Sequence, residues 1–263
     1  MEFKQFTLIV LRKLHLLPIV TRGILFQKVL MCHAKNNAYS KAHNIKIPPY
    51  SLMIDAYGHC MLKEYHETGL IHANFINDII LQHKPAENIT VCEWGCGAAR
   101  ILQHLKSINS NIIELIGTDY NPKTILWCKN NINNITFVKN DLKPPFLLKD
   151  KSIDVLYCIS VFTHLSEVQN HLWINEIKRV LKENGLFIGS FHGEKTFHKL
   201  TQNELKQIQK SGIVERGNVK EGSGFYVAYH SDNFIKNKLL NYIKNINKIK
   251  CDFMLQDVWC AMK

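Results

Sequence analysis

Glu93-Trp94-Gly95-Cys96-Gly97-Ala98-Ala99-Arg100 follows directly on the β-prone run Ile89-Thr90-Val91-Cys92. Ile89 to Glu93 reads as a strand, and the two glycines fall where a backbone must turn sharply and approach a ligand closely. A nucleotide-like cofactor is the natural occupant of such a turn. The dinucleotide fingerprint G-x-G-x-x-G would need a third glycine at position 100, and Arg100 stands there, which argues against a nicotinamide cofactor.

Outward from this turn, short β-rich runs alternate with longer helical patterns. Strands are expected at Leu115 to Asp119, Ile135 to Lys139, Ile153 to Ile159 and Leu186 to Phe191, with helices near Arg100 to Ser107, Pro122 to Asn130 and Glu167 to Leu181. That alternation predicts a parallel sheet with helices on both faces. Ser166 suits the N-cap of the last helix, and Gly185 the turn after it. Further on, a helix near Asn203 to Ser211, a strand near Gly224 to His230, a Lys- and Asn-rich helix and a final strand, Phe253 to Met262, complete the α/β pattern.

Upstream, Phe3 to about Cys32 reads as two short amphipathic helices broken at Pro18 and Gly23. They suit packing against a main domain or lying on a membrane surface. Asn36 to Pro49 reads as a connector, because Ile47-Pro48-Pro49 disfavours helix. A helical pair, Leu52 to Thr68 and Ile71 to His83, is expected to break at Gly69. Residues 1–85 are thus expected to form a helical extension or cap, and residues 86–263 the main domain.

The chain has 263 residues, 46% of them hydrophobic, enough for one substantial core. Its 33 Lys and Arg outnumber 22 Asp and Glu, giving a formal net charge of +11. Over the first fifty residues Glu2 alone stands against Lys4, Arg12, Lys13, Arg22, Lys28, Lys35, Lys41 and Lys46. Nucleic acid, acidic lipid head groups and phosphorylated substrates would all be drawn to such a segment, and a solvated basic helix face accounts for it equally. The eight cysteines form no paired CxxC pattern, so reduced thiols and a cytoplasmic location, possible contact with a membrane aside, are expected, with no metal site. No run resembles a cleaved signal or a spanning helix.

The Glu93-x-Gly95-x-Gly97 turn resembles the first motif of class I S-adenosylmethionine-dependent methyltransferases. The resemblance continues through Gly117-Thr118-Asp119-Tyr120, Asn140-Asp141-Leu142, the run Ser152 to Leu165, and Arg179-Val180-Leu181-Lys182-Glu183-Asn184-Gly185. It implies a Rossmann-like three-layer α/β/α sandwich, with a mostly parallel seven-stranded sheet whose last strand is antiparallel. It also implies S-adenosylmethionine as cofactor. Gly95 and Gly97 would lie against the methionine part, Glu93 would anchor its ammonium, Asp119 would accept from the ribose hydroxyls, and Asp141 would meet the adenine amine. Cys96, Arg100, Tyr120, Asn140, Leu142 and Ser160 fill out the implied cofactor-binding set. Ala99 stands where many members have a third glycine. Leu255-Gln256-Asp257-Val258-Trp259 resembles the last strand of some small-molecule methyltransferases, with no role implied for Gln256 or Asp257.

A sulfonium methyl group is already electrophilic, so such a protein mainly aligns an acceptor and excludes water. If the acceptor is a hydroxyl, a base must also take its proton. His164 and His192, just after the fourth and fifth strands, are the candidates for that catalytic role. The expected function is methylation of an O or N on a small-molecule or sugar-containing acceptor. Methylation of RNA or another macromolecule is the alternative the charge suggests, although no Asp/Asn-Pro-Pro-aromatic motif follows the fourth strand. A non-catalytic binding protein of the same fold is the alternative of another class.

Overall fold

The computed structural model describes residues 17–84, 87–241 and 243–263. Two compact units divide between Glu67 and Thr68, and no helix of the described residues is long and apolar enough to cross a membrane.

In the first unit one 27-residue helix, α1 (Leu17–His43), runs through Pro18 and Gly23, where breaks are expected from the sequence. Pro18 sits in its first turn, where a missing amide hydrogen costs nothing. Gly23 costs about 1 kcal/mol relative to alanine, which a helix of this length absorbs. The expected helical stretch from Phe3 to Leu16 lies outside the described residues. α1 also takes up Asn36 to His43, so the expected connector shrinks to the residues just before Tyr50. α2 (Tyr50–Tyr57) stops at Gly58, whose φ of 74° gives the left-handed cap that ends a helix. The buried Asn36 side chain then donates to the Cys60 carbonyl at 2.7 Å and accepts from the Leu62 amide at 2.9 Å, which holds the turn before α3 (Leu62–His83).

The expected break at Gly69 does not occur, because α3 runs through it. A Cβ at residue 69 would lie 2.4 Å from the Arg100 carbonyl oxygen and 2.8 Å from its Cγ. The glycine therefore serves close packing. Gly69→Val should lower stability by about 1–3 kcal/mol, the usual cost of overpacking, measured by urea unfolding. Unchanged stability would show that the helix and the Arg100 backbone separate freely.

In the second unit the strands β1 (Ile89–Trp94), β2 (Ile112–Asp119), β3 (Thr136–Lys139), β4 (Ile153–Cys158) and β5 (Leu181–Phe191) pair in parallel. Between them lie α4 (Leu102–Ile108), α5 (Pro122–Asn131) and α6 (Glu167–Val180). All six residues of β1 and of β4 are buried, as in strands covered on both faces. Side chains alternate between two cores. Val91, Val155 and Leu186 meet Ile76, Ile80, Leu105 and Ile125 on one face, and Cys92, Leu156 and Phe187 meet Trp173, Ile177 and Leu239 on the other. The Ser166 side chain caps α6, accepting from the Gln169 amide. Gly185, expected in a turn, lies inside β5, which begins directly after the helix.

After α7 (Gln202–Ser211) the topology departs from the sequence reading. β6 (Ile213–Arg216) and β7 (Val227–His230) form a separate antiparallel pair, so the expected strand near Gly224 to His230 does not join the main sheet. The Lys- and Asn-rich segment is helical as expected from Asp232 to Leu239, but then supplies a strand, β8 (Lys244–Ile249), and β9 (Asp257–Met262) closes the sheet. The sheet order is β3-β2-β1-β4-β5-β9-β8, with β9 antiparallel to both neighbours. β8 is an edge strand, and outward lysines and asparagines protect such an edge from further pairing while Ile246 and Ile249 turn inward. The three-layer fold with a seven-stranded, mostly parallel sheet and antiparallel last strand is as expected.

Candidate functional site

The parallel strands all end at one edge of the sheet, and β9, running the other way, begins there opposite Phe191. β1 and β4 are neighbours at the point where strand order reverses, the place where ligands of open α/β sheets bind.

The loop after β1 is built for close approach. Gly95 and Gly97 have φ of 73° and 52°, and a Cβ on Gly95 would lie 2.4 Å from Val161 Cγ2 in the loop after β4. The amides of Gly95 and Cys96 both donate to the Thr118 carbonyl, at 2.8 and 2.9 Å. One turn on, Gly97 N–H donates to Asp119 Oδ2 at 3.0 Å, and Asn121 N–H donates to Oδ1 at 2.8 Å. Those bonds tie the glycine loop of β1 to the carboxylate at the end of β2. Ala99 has φ of 57°, a conformation that costs a non-glycine residue about 1–2 kcal/mol, and this is the physical reason a glycine would suit that position.

Glu93 ends up 3% exposed, with Oε2 lacking any hydrogen-bond partner. Burial pushes its carboxyl up to about 8, the Tyr157 hydroxyl and the Leu102 amide work against that, and the nearby Asp119 adds to it. A buried carboxylate oxygen without a partner is costly unless a ligand supplies a donor. Across the edge, Asn140 Oδ1 is likewise buried without a partner, while its amide nitrogen donates to the Asp141 carbonyl at 2.7 Å. The Asn140 backbone amide donates to the Asp119 carbonyl at 3.1 Å, which sets this residue beside the β2 end.

Other residues of the expected set sit differently. Cys96 packs its thiol into the core, and burial raises it far above the ordinary thiol range. Arg100 turns its guanidinium to Thr68 Oγ1 at 3.1 Å and His72 Nδ1 at 3.3 Å, with burial lowering it to about 9. For both, only the backbone belongs to the loop. Tyr120 is half-buried just past Asp119. The Asp141 side chain is exposed and pairs with Lys139 at 2.6 Å. The Leu142 side chain lies where a Cβ on Gly222 would meet it at 2.4 Å, so the loop between β6 and β7 crosses the end of β3.

That loop also reaches the first candidate histidine. Gly222 N–H donates to the His164 carbonyl at 2.9 Å, and His164 Nδ1 lies 2.7 Å from the Tyr226 carbonyl, so Nδ1 carries the hydrogen. His192 follows β5, its ring 5.3 Å from that of Tyr229. Burial holds it down at about 4, with His164 and Lys199 adding to the effect, so the imidazole is neutral at physiological pH.

Ser160, Thr163, Ser190, His192 and Gln256 form one hydrogen-bonded group at the ends of β4 and β5 and the start of β9. Sequence reasoning named Ser160 and His192 and passed over Ser190 and Gln256. The residue just before a strand antiparallel to β5 must face the residue just after β5, so pairing β9 with β5 would have found Gln256.

Residues 92–189 match the family model described as a methyltransferase domain. The ubiquinone biosynthesis O-methyltransferase of Rickettsia bellii is 26% identical over 151 residues, 57% of this chain and 57% of the relative. The match thus spans little more than half the length of the curated relative. Magnesium protoporphyrin IX methyltransferase from Synechocystis PCC 6803, solved with bound SAH, superposes with a TM-score of 0.50 at 16% identity, covering 77% of this chain and 87% of that one. An S-adenosylmethionine-dependent methyltransferase from Mesorhizobium loti gives 0.52 at 13% identity, covering 67% and 92%. At such identities the likeness is one of fold.

Proposed function

We propose, from the premise that this chain carries a methyltransferase domain of the class I, S-adenosylmethionine-dependent kind, that it moves a methyl group to an oxygen or nitrogen of a small-molecule or sugar-containing acceptor. In this reading residues 86–263 are the catalytic domain and residues 1–85 its helical extension. The observation that carries it is the Gly97 to Asp119 hydrogen bond beside the unpartnered Glu93 Oε2, which brings a glycine loop and two carboxylates to one sheet edge.

S-adenosylmethionine supplies an electrophilic methyl group when bound, and the chain's part is to bind, orient and exclude water. Glu93 would accept from the ammonium. Backbone around Gly95, Cys96 and Gly97 would lie against the amino-acid portion, with Arg100 supporting that loop from behind. Asp119, held in place by the amides of Gly97 and Asn121, would accept from the ribose hydroxyls. Tyr120, Asn140, Asp141 and Leu142 would surround the adenine, and Ser160 would border the methyl-transfer position. His164 or His192 would take a hydroxyl proton. The named activity of the Rickettsia relative favours oxygen as the methylated atom.

The test uses the raised Glu93 carboxyl, near 8 in the ligand-free protein. In the unfolded chain this group ionises near about 4.3, so folding favours its protonated form, and that contribution is lost as pH rises from about 4.3 through 8. An ammonium beside it favours the carboxylate, so binding must expel a proton. Calorimetry with S-adenosylhomocysteine at pH 7, in buffers of differing ionisation enthalpy, should report proton release. Affinity should rise from about pH 6 to about pH 8, where the ligand's own amine begins to lose its proton. Absence of binding at every pH would overturn the cofactor assignment, and binding without proton release would overturn the role of Glu93.

A further inference from the structure

The hydrogen bonds in the group around Gln256 fit one consistent assignment of hydrogens. Thr163 Oγ1 donates to the Ser160 carbonyl at 3.1 Å, so its own hydrogen is used. The 3.2 Å contact between the Ser160 and Thr163 hydroxyls must then be donated by Ser160. With its hydrogen committed, Ser160 Oγ can only accept from Gln256, which it does from Nε2 at 2.8 Å. That orients the Gln256 amide, whose carbonyl oxygen faces Ser190 Oγ at 2.5 Å, while Ser190 in turn accepts from the Ser160 backbone amide at 2.7 Å. The second Gln256 N–H is left directed at His192 Nε2, 3.4 Å away, so that nitrogen must present its lone pair and the ring hydrogen must sit on Nδ1. His192 Nδ1 is buried and meets no partner at good hydrogen-bond geometry, and the Ala228 backbone beside the ring is the acceptor within reach of its hydrogen.

A second observation points the same way. Ser160 has φ of 63°, a left-handed conformation that costs a non-glycine residue about 1–3 kcal/mol and persists only where its surroundings enforce it. Ser190 and Gln256 are what enforce it here.

We propose that Gln256 is a positioning residue that fixes His192 as the Nδ1-protonated tautomer, so that Gln256 Nε2 and His192 Nε2 together form a donor and acceptor pair for an acceptor hydroxyl. A hydroxyl group is the chemistry that both accepts and donates one hydrogen bond at a single atom. It would take the place of the direct Gln256 to His192 contact, accepting the second Gln256 N–H and donating to His192 Nε2. On reaction its proton would pass to His192 Nε2, the oxygen electron pair would form the new O–CH3 bond, and the pair of the broken S–CH3 bond would go to sulfur. A carboxylate cannot donate to His192, and an ammonium cannot accept from Gln256, so the pair disfavours both and suits a neutral hydroxyl. The long 3.4 Å contact leaves the Nε2 lone pair weakly engaged in the ligand-free protein. This rests on the methyl-transfer reading above.

His164, Lys199, His230 and Tyr229 face His192, and the buried Asp257 carboxylate lies against the adjoining Gly193. Proton-nitrogen correlation spectra of the ¹⁵N-histidine-labelled full chain, without ligand at neutral pH, should show His192 protonated on Nδ1 and bare at Nε2. Gln256→Glu replaces the donor by an acceptor. It should move the hydrogen to Nε2 and raise the pH at which His192 titrates, an effect that a merely structural role would not produce. Gln256→Leu, of similar size, should leave a mixture of tautomers. Wild-type His192 protonated on Nε2, or a tautomer indifferent to both substitutions, would overturn the proposal. Calorimetry with S-adenosylhomocysteine on the same samples separates the two readings: loss of all binding condemns the cofactor assignment, whereas the tautomer result stands or falls by itself.

Discussion

Asp119→Ala should weaken S-adenosylhomocysteine binding by about 10²–10⁴-fold in calorimetry. The proposed ribose contacts are two hydrogen bonds to a charged acceptor, each contributing about 1.5–3 kcal/mol, and about 1.4 kcal/mol corresponds to a factor of ten. The same substitution also leaves the amides of Gly97 and Asn121 without their carboxylate partner, so the glycine loop loses its tie to β2. Both effects act in one direction. Asp119→Asn keeps one acceptor oxygen and should fall between wild type and alanine. An affinity within about threefold of wild type for the alanine variant would show that the end of β2 does not grip the ligand's sugar.

The second large effect is on stability. Gly95→Val should lower the unfolding midpoint by roughly 4–20 °C, read by circular dichroism on heating. A side chain at φ of 73° costs about 1–2 kcal/mol. A Cβ 2.4 Å from Val161 Cγ2 adds an overpacking cost of about 1–3 kcal/mol. Each kcal/mol corresponds to about 2–4 °C for a chain of this size. Gly224→Ala is the control, because a Cβ there has no heavy atom within 4 Å. It should leave the midpoint within about 2 °C. Equal midpoints for the two variants would mean that the loops after β1 and β4 do not press together.

These two positions are legible in the sequence because their chemistry is local. A glycine is needed wherever φ is positive and a second chain segment approaches, and an acid after a strand reports its own place in a βαβ unit. The same holds for β1 to β5, whose buried apolar runs and intervening helical patterns depend on neighbours in sequence. The direction of the Arg100 side chain is not legible in the sequence, because it is settled by what packs behind it. Here Gly69 admits the Arg100 backbone against α3, and Thr68 and His72 take the guanidinium.

The amino-acid sequence alone determined the strand and glycine-turn chemistry, the carboxylates at positions 93 and 119, and the parallel α/β layering, because periodicity, backbone freedom and turn chemistry act over a few residues. Only the tertiary structure decided that β8 rather than the strand ending at His230 completes the sheet, and that Gln256 faces His192. An edge strand made of lysine and asparagine carries little β signal of its own, and its identity comes from the partner it pairs with. A hydrogen bond between residues 96 positions apart, as between Gln256 and Ser160, exists only once β9 has docked against β5.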